Sequence, residues 1–304
     1  MSSTNIKNVA VVGGSGTIGV YIVKELLATG FYVTVLTRDD SKSSFPAGVT
    51  VKKVDYSSLE SLKEALAGHD AVVSAIATPA IGTQLTLVDA ALASGVKRFI
   101  PSEFGINTRT LGDAKIAKIL AGKIKTVDYL QEKAKENNSF TWTGLSNGLF
   151  FDINLAKGIY GYDPKTKTAT IYDSGNEHFQ TSNGGLIAQA VASILKHPEV
   201  TANKYLSVTS FSPSRNEILK ILEEETGTKW TVKHEATADL QRVGEEKLEK
   251  GDFSAFRELL LTYLHRDGSG HALKPEDSAN ELLELPQEDL RATLRKWLAD
   301  EGAI

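Results

Sequence analysis

The stretch 8–19 reads NVAVVGGSGTIG and joins a short β-branched run directly to a glycine-rich loop. Residues 8–12 are apolar and typical of a buried strand, while residues 18–27 carry apolar side chains at helical spacing. The loop satisfies G-x-x-G-x-x-G from Gly13 and G-x-G-x-x-G from Gly14. A strand, such a loop and a helix in this order predict a turn that holds the pyrophosphate of a dinucleotide at the start of the helix. A glycine-rich turn without a ligand is the alternative.

Strand and helix patterns alternate from this loop to about residue 145. Each strand is followed by a helical segment that leads to the next strand, in units of about 20–30 residues. Short crossovers of this kind produce a parallel sheet with right-handed connections. The sequence therefore predicts an α/β protein with a Rossmann-type, doubly wound parallel sheet. The further strands are expected at 32–36, 49–54, 71–77, 97–100 and 140–145, and the further helices at 85–93, at 116–135 and between a capping box at 57–60 and Gly68.

The second half of the chain is less regular. Strands are expected at 168–172 and 205–208, and helices at 186–195, after a capping box at 214–217, and around Leu290, Leu294, Trp297 and Leu298. No internal repeat or clear linker separates the two halves. We therefore predict a nucleotide-binding domain over residues 1–150 and a smaller α/β substrate-binding region over residues 151–304 that folds back onto the sheet.

Composition excludes several classes of protein. The chain has 304 residues with 34 Lys+Arg and 38 Asp+Glu, a net charge of −4, and no Cys. A mildly acidic chain is not expected to bind nucleic acid or an anionic membrane, and without cysteine it has neither disulfides nor a thiol nucleophile. The apolar runs are too short to cross a bilayer, and the first eight residues leave no room for a signal peptide. The six histidines lack metal-ligand spacing, so we expect no metal site. With neither a membrane-spanning run nor a signal peptide expected, we predict a cytoplasmic protein.

The end of the second strand indicates which dinucleotide is bound. An acidic residue there binds the ribose 2′-hydroxyl of NAD, whereas an arginine accommodates the 2′-phosphate of NADP. Here Arg38 stands at that point, and Asp39 and Asp40 follow it. A planar guanidinium suits phosphate, so the sequence favours NADP(H) over NAD(H), with Lys42 as a second candidate for the phosphate. Alternatively, Arg38 is a solvated charge paired with one of the two aspartates.

Two further segments, RFIPSEFG at 98–105 and SNGLFFD at 146–152, carry a family resemblance together with the glycine loop at 13–19. Together with Arg38 they resemble the NmrA-like and isoflavone-reductase-like atypical short-chain dehydrogenases, most closely the fungal members. The resemblance implies an NADPH-dependent oxidoreductase that transfers hydride to a small aromatic or conjugated carbonyl or enone. The family also contains NmrA-like regulators that bind NADP(H) without turnover and act through a protein partner, and this is the alternative function. The sequence does not indicate the substrate or the oligomeric state.

Two patterns compete for the catalytic group. Tyr129 and Lys133 match the Tyr-x-x-x-Lys string of ordinary short-chain dehydrogenases, but Tyr129 fits an interior helix position, so we discount the match. The resembling reductases carry a lysine at the start of this helix, which corresponds to Lys123, or to Lys125 if the alignment slides. A buried lysine near the nicotinamide would have a lowered pKa and would polarise or protonate a developing oxyanion. A solvated basic helix face is the alternative.

Residues at the strand ends complete the predicted site. The segments after the fourth, fifth and sixth strands are expected to run along the cofactor. His178 and His265 lie in the substrate half and are candidate auxiliary acids or bases, although packing alone explains either of them. The predicted cofactor-binding residues are Gly13, Gly14, Ser15, Gly16, Thr17, Ile18, Gly19, Arg38, Ile76, Ala77, Thr78, Ser102, Phe104, Lys123, Asn147 and Phe150.

Overall fold

A computed structural model describes residues 5–304 of the chain. Strands and helices alternate through the first half. The strands are β1 Asn8–Val12, β2 Tyr32–Thr37, β3 Thr50–Lys53, β4 Ala71–Ser74, β5 Arg98–Ile100, β6 Thr141–Ser146, β7 Leu149–Phe150, β8 Tyr162–Asp163, β9 Thr168–Tyr172, β10 Thr181–Ser182, β11 Lys204–Ser207 and β12 Thr231–Glu235. The helices are α1 Gly19–Ala28, α2 Leu59–Leu66, α3 Gln84–Ala93, α4 Ala121–Glu136, α5 Phe151–Ala156, α6 Gly184–Lys196, α7 Pro198–Thr201, α8 Arg215–Thr226, α9 Thr237–Glu249, α10 Phe256–His265 and α11 Leu290–Asp300. Within the described range, none of these helices combines the length and the apolar character needed to cross a membrane.

Seven parallel strands form the main sheet, in the order β11-β6-β5-β4-β1-β2-β3. The chain winds outward from β1 in both directions, so the strand order reverses between β1 and β4. This is the doubly wound Rossmann-type topology, and the predicted fold class is confirmed. At such a reversal the loops leaving the two central strands separate and open a crevice at their carboxyl ends.

The strand pleat distributes the core to two helical layers. Val9 and Val11 point to the face covered by α1 and α6, while Ala10 and Val12 point to the face covered by α2, α3 and α4. Both faces of β1 are therefore buried, which explains why its residues 9–12 are all apolar. A third apolar cluster lies in the second half of the chain, where α8, α10 and α11 pack around β8 and β9.

The second half also completes the main sheet. β11 pairs in parallel with β6, with Leu206 opposite Leu145. Its sequence predicted a strand but not its place beside β6, because pairing between such distant segments leaves no local signal. Two small sheets, β12-β9-β8 and β10-β7, stand apart from the main one. Of their strands, only β9 was predicted from the sequence.

Three local predictions were wrong in detail. The helix expected over 116–135 is divided into a 3₁₀ turn at Lys115–Lys118 and α4, which begins at Ala121. The strand expected over 71–77 ends at Ser74, after which the chain turns along the carboxyl edge of the sheet. The capping box expected at 57–60 is absent, because the residue that caps α2 is Ser58, which accepts from the N–H of residue 61. The box at 214–217 is confirmed.

Candidate active site

A cleft of about 680 Å³ opens at the carboxyl ends of β1, β2 and β4. It lies at the strand reversal, where the fold places a ligand crevice. All of the predicted cofactor-binding residues line it except Gly19 and Asn147. Its wall consists of Gly13, Gly14, Ser15, Gly16, Thr17, Ile18, Leu36, Thr37, Arg38, Ser41, Ser43, Tyr56, Ala75, Ile76, Ala77, Thr78, Ala80, Thr83, Ser102, Phe104, Lys123 and Phe150.

The glycine loop depends on the absence of side chains. Gly13 has φ +79°, and a Cβ there would lie 2.5 Å from the carbonyl oxygen of Ala75. Gly19 opens α1 just behind the cleft wall, and a Cβ there would lie 2.1 Å from the carbonyl oxygen of Gly13. Among residues 5–304, the N–H groups of Ser15 and Thr17 have no backbone partner, and no side chain caps α1. The loop therefore presents free donors at a helix N-terminus, which suits the oxygens of a pyrophosphate.

At the other end of the cleft, Arg38 follows β2. Its side chain is 74% exposed, and its Nε lies 3.7 Å from a carboxylate oxygen of Asp40. The loop is fixed from below by Lys53, whose Nζ donates to the carbonyl oxygens of Arg38, Asp39 and Ser41 at 3.2, 3.2 and 2.7 Å. The backbone is thus held by a β3 side chain, while the guanidinium remains free to turn toward a ligand.

Hydroxyl groups surround this end of the cleft. Ser41 and Ser43 line it beside Arg38, whereas Lys42 does not. Tyr56 also lines the cleft and donates to the carbonyl oxygen of Leu36 at 2.7 Å, and burial raises its pKa to about 12. Neither serine was predicted from the sequence, although hydroxyl-bearing residues just after an arginine at a strand end are a usable signal.

Ser102 ties two strand ends together. Its hydroxyl donates to the carbonyl oxygen of Ile76 at 2.7 Å, and its N–H donates to Oε1 of Gln84 at 2.8 Å. These bonds join the segment after β5 to the segment after β4 and to α3. Asn147 is fully buried outside the cleft wall, and its amide nitrogen donates to the carbonyl oxygen of Gly148.

Lys123 lies in the first turn of α4, at the inner end of the cleft. Its side chain is only 7% exposed, and among the residues described here its ammonium forms no hydrogen bond or ion pair. Burial lowers the pKa of Lys123, and the negative charge of Glu103 opposes that change. Lys125, two residues later, lies on the exposed face of the same helix. The two candidate lysines therefore occupy opposite environments.

Glu103 is fully buried near Lys123. Its Oε2 accepts from the hydroxyls of Thr108 and Tyr205 at 2.5 and 2.7 Å, while its Oε1 has no partner within the described chain. Burial raises the pKa of Glu103, and the positive charge of Lys123 opposes that change. Each group therefore favours the charged form of the other in a site that otherwise disfavours charge.

A second cavity of about 610 Å³ adjoins the cleft and shares Thr78, Phe104, Lys123 and Phe150 with it. Most of its other lining side chains come from the second half of the chain and are apolar or aromatic. The wall also includes Gly105, Ile106, Thr108, Leu120, Gly148, Leu149, Asn154, Gly158, Ile159, Tyr160, Gly161, Thr170, Tyr172, Arg215, Phe256, Arg257, Leu260, Leu261 and His265. Among the titratable residues that the second half of the chain contributes to this wall, only His265 was predicted from the sequence to have a role.

The two histidine candidates differ in position. His265 is buried in the cavity wall, stacks on Tyr172 with ring centroids 5.2 Å apart, and has no partner in the described structure for either ring nitrogen. Burial lowers its pKa well below the usual value and so favours the neutral ring. His178 lines neither the cleft nor the cavity, and its Nδ1 lies 2.7 Å from the carbonyl oxygen of Ser212.

The Tyr-x-x-x-Lys string lies away from both spaces. The Tyr129 hydroxyl donates to Asp89 at 2.5 Å, and Lys133 pairs with Glu136 at 2.7 Å. Neither residue lines the cleft or the cavity.

Known proteins resemble this chain over most of its length. The aprR oxidoreductase of Aspergillus flavus is 38% identical over 284 residues, which cover 91% of this chain and 94% of that protein. The isoflavone reductase homolog IRL of Zea mays is 30% identical over 234 residues, which cover 72% and 74% of the two chains. The solved structure of AtPrR2 with NADP+ and (+)pinoresinol shares the fold, with a TM-score of 0.78 at 24% identity over 96% of this chain and 99% of that one.

The model of the NmrA-like family matches residues 5–251. That range contains the glycine loop, Arg38, Lys123 and most of the cavity wall. Because the match covers most of the chain and both relatives named above are at least 30% identical, the chain belongs to the NmrA-like family.

Proposed function

We propose that the protein is an NADPH-dependent reductase of a small aromatic or conjugated carbonyl or enone, with Lys123 as the electrophile and proton donor. The observation that carries the proposal is the position of Lys123. Its nearly buried, unpaired ammonium lies in the wall shared by the nucleotide-shaped cleft and the adjoining apolar cavity. The names of the relatives, one an oxidoreductase and one an isoflavone reductase homolog, support the same class of reaction.

The cleft residues fit NADPH. A Cβ at Gly13 or Gly19 would close the cradle, so the loop backbone is shaped for close approach of a pyrophosphate. We assign the free N–H groups of Ser15 and Thr17 to the pyrophosphate, and Arg38 with the neighbouring Ser41 to the 2′-phosphate. When bound, NADPH supplies the hydride, and the protein supplies orientation and electrostatics.

Lys123 would act where negative charge develops on the substrate oxygen. Its ammonium has no competing partner in the described chain, so it is available to hydrogen-bond that oxygen. The lowered pKa makes the ammonium a better proton donor near neutral pH. The negative charge of Glu103 opposes the fall in the pKa of Lys123, although no hydrogen bond joins the two side chains in the described structure.

We further assign residues 1–150 to the cofactor and residues 151–304 to most of the substrate site. The cleft wall comes entirely from the first range, and the greater part of the cavity wall comes from residues 154–265. Lys157 bridges the two regions, since its Nζ donates to the hydroxyl of Thr17 at 3.3 Å. In this arrangement the substrate lies against α5, β9 and α10 and meets the cofactor at Lys123.

The test is a pair of variants on one helix. Lys123→Met keeps the length of the side chain and removes the charge, while Lys125→Met makes the same change on the exposed face. With a panel of aromatic enones and aldehydes, we expect Lys123→Met to lower kcat at least about 100-fold and to leave NADPH affinity within about threefold. Lys125→Met should leave both quantities unchanged. Equal turnover by the two variants would overturn the role of Lys123.

The cofactor is tested separately by titrating the full-length protein with NADPH, NADH and NADP+ and following the nicotinamide fluorescence or the heat released. We expect NADPH to bind at least about tenfold more tightly than NADH. Binding of NADPH and NADP+ with equal affinity and no turnover across the panel would favour the regulator instead. The absence of binding by all three nucleotides would overturn the assignment of the cleft.

A further inference from the structure

Arg215 is an unusual component of the cavity wall. It is 1% exposed at the first position of α8, and it lies over the rings of Tyr162 and Tyr172 at 4.9 and 4.7 Å. Its Nε and Nη2 donate to the carbonyl oxygen of Thr170 at 3.0 and 2.8 Å, and Nη2 also donates to that of Tyr160. Its Nη1 has no partner, and no carboxylate forms an ion pair with the guanidinium, among residues 5–304.

In the other fully buried arginine, Arg98, every guanidinium nitrogen has a hydrogen-bond partner. Its Nε donates to Thr141, its Nη1 to Thr143 and Thr201, and its Nη2 to the carbonyl oxygen of Pro198. It lines neither the cleft nor the cavity. Arg98 therefore joins β5 to its neighbours, whereas Arg215 carries out a comparable structural task and still has one nitrogen left over.

The charge of the cavity wall is one-sided. Lys123, Arg215 and Arg257 line it, and no aspartate or glutamate does so within the described structure. A buried cation without a counter-ion is costly, and aromatic rings and carbonyl oxygens offset only part of that cost. The space beside Arg215 is thus electropositive and mostly apolar, a combination that favours an anionic group attached to an apolar body.

His265 supplies a second unpaired polar group on the same wall. It stacks on Tyr172, the ring that also lies under Arg215, and both of its buried nitrogens lack partners in the described chain. The positive charge of Arg215 adds to burial in lowering the pKa of His265. A neutral imidazole has one N–H donor, so it complements a cation in binding an oxygen ligand without adding a second buried charge.

We propose that Arg215, assisted by His265, binds a carboxylate of the substrate, so that the natural substrate is an aromatic or conjugated acid. The proposal rests on the proposed function, because it places the substrate oxygen that accepts negative charge at Lys123 and the carboxylate at Arg215 within one cavity. A guanidinium forms charge-assisted hydrogen bonds to a carboxylate. Because Nε and Nη2 are occupied by backbone carbonyl oxygens, the unpaired Nη1 supplies the donors for it.

The test compares two probes with one apolar body. Trans-cinnamate carries the carboxylate, and trans-cinnamamide replaces it with a neutral group of similar shape. We expect calorimetric titration of the full-length protein, with and without NADP+, to show cinnamate binding about tenfold more tightly than the amide. In Arg215→Met the ratio of the two affinities should fall to about one, while Arg215→Lys should keep part of it.

Two control variants remove the other cations of the wall. Arg257→Gln changes an exposed arginine, and Lys123→Met changes the charge at the junction with the cleft. Both should keep at least half of the preference for the acid. If Arg215→Met does not fold, the double variant Lys123→Met/Arg257→Gln decides the matter, because Arg215 is then the one remaining cation of the described wall and the preference for the acid should persist.

The outcomes separate this inference from the proposed function. Equal affinity of the wild-type protein for the two probes overturns the carboxylate site, even when NADPH binds and turnover is found. Loss of the preference in Lys123→Met or Arg257→Gln, with Arg215→Met unchanged, places the anion elsewhere and also overturns it. Failure to bind NADPH overturns the reductase assignment, whereas the preference between the probes is measured without cofactor.

Discussion

The cleft and the cavity meet at Lys123, yet their walls are made of different parts of the chain. The cleft is shaped largely by backbone, above all by one loop whose glycines leave no room for a side chain. The cavity is shaped by side chains from many separate segments, with bulky aromatic groups and three cations. We therefore expect a methyl group added at a loop glycine to abolish nucleotide binding in the cleft. In the cavity, a change of charge or of an aromatic ring should alter which substrate binds.

The largest effect that would test this contrast is expected from Gly19→Ala. The added Cβ would lie 2.1 Å from the carbonyl oxygen of Gly13, so the loop must move away from its position. We expect NADPH affinity to fall at least about 100-fold and the free energy of unfolding to fall by roughly 1–3 kcal/mol. Nucleotide titration and denaturant unfolding measure the two quantities.

A matched glycine provides the control for that experiment. Gly185, in the first turn of α6, has open space around the position of a Cβ. Gly185→Ala should change stability by less than about 1 kcal/mol, in the stabilising direction, because alanine is the better helix former. If Gly19→Ala bound NADPH as well as Gly185→Ala does, the cleft would not be a backbone-built site.

A smaller effect is expected where the two spaces meet. Removing the Glu103 charge withdraws the interaction that opposes the burial of the Lys123 ammonium, so in Glu103→Gln the pKa of Lys123 falls further. Turnover that needs the ammonium is lost as pH rises through that pKa. The falling limb of kcat against pH should therefore move to lower pH by about one pH unit.

Asp128→Asn is the control for the pH profile, because Asp128 is an exposed carboxylate on the same helix that pairs with Arg109 at 2.8 Å. Its limb should stay where it is in the wild-type protein. A purely structural role for Glu103 would instead lower the rate at every pH and leave the limb in place.

The smallest expected effect belongs to Arg38, which in the described part of the chain is the one charged side chain of the cleft wall that is largely exposed. Arg38→Ala should reduce the preference for NADPH over NADH by about three- to tenfold, and high salt should weaken the preference of the wild-type protein. Lys42→Ala should leave the preference unchanged, since Lys42 does not line the cleft. Equal losses in both variants would mean that the loop attracts phosphate only by its general charge.

The same contrast explains what could be predicted from the sequence. The glycine loop and the strand–helix alternation are local sequence patterns. The Rossmann-type sheet and the position of the loop from Gly13 to Ile18 could therefore be predicted from neighbouring residues. The position of Lys123 came from family resemblance, and the structure distinguishes it from Lys125 by burial. The roles of the individual cleft residues toward the cofactor are predictions, and the nucleotide titrations test them.

The cavity could not be predicted from local sequence patterns. Arg215 begins a helix that its capping box marks clearly, but nothing near it in sequence indicates that it will lie over Tyr162 and Tyr172. Likewise, Glu103 belongs to a recognisable segment, while its partner Tyr205 comes from a strand 102 residues later. Such sites depend on long-range packing, which a pattern of neighbouring residues does not contain.

The late arrival of β11 has a consequence for how the protein is made. Ser146 at the end of β6 and Ser207 at the end of β11 are hydrogen-bonded at 2.7 Å but lie 61 residues apart in the chain. At a synthesis rate of about 5–20 residues per second, the nascent β6 edge waits roughly 3–12 s for its neighbour. An unpaired strand edge invites pairing with other chains. The ribosome-bound protein is therefore most prone to aggregation after its nucleotide loop is complete and before its sheet is.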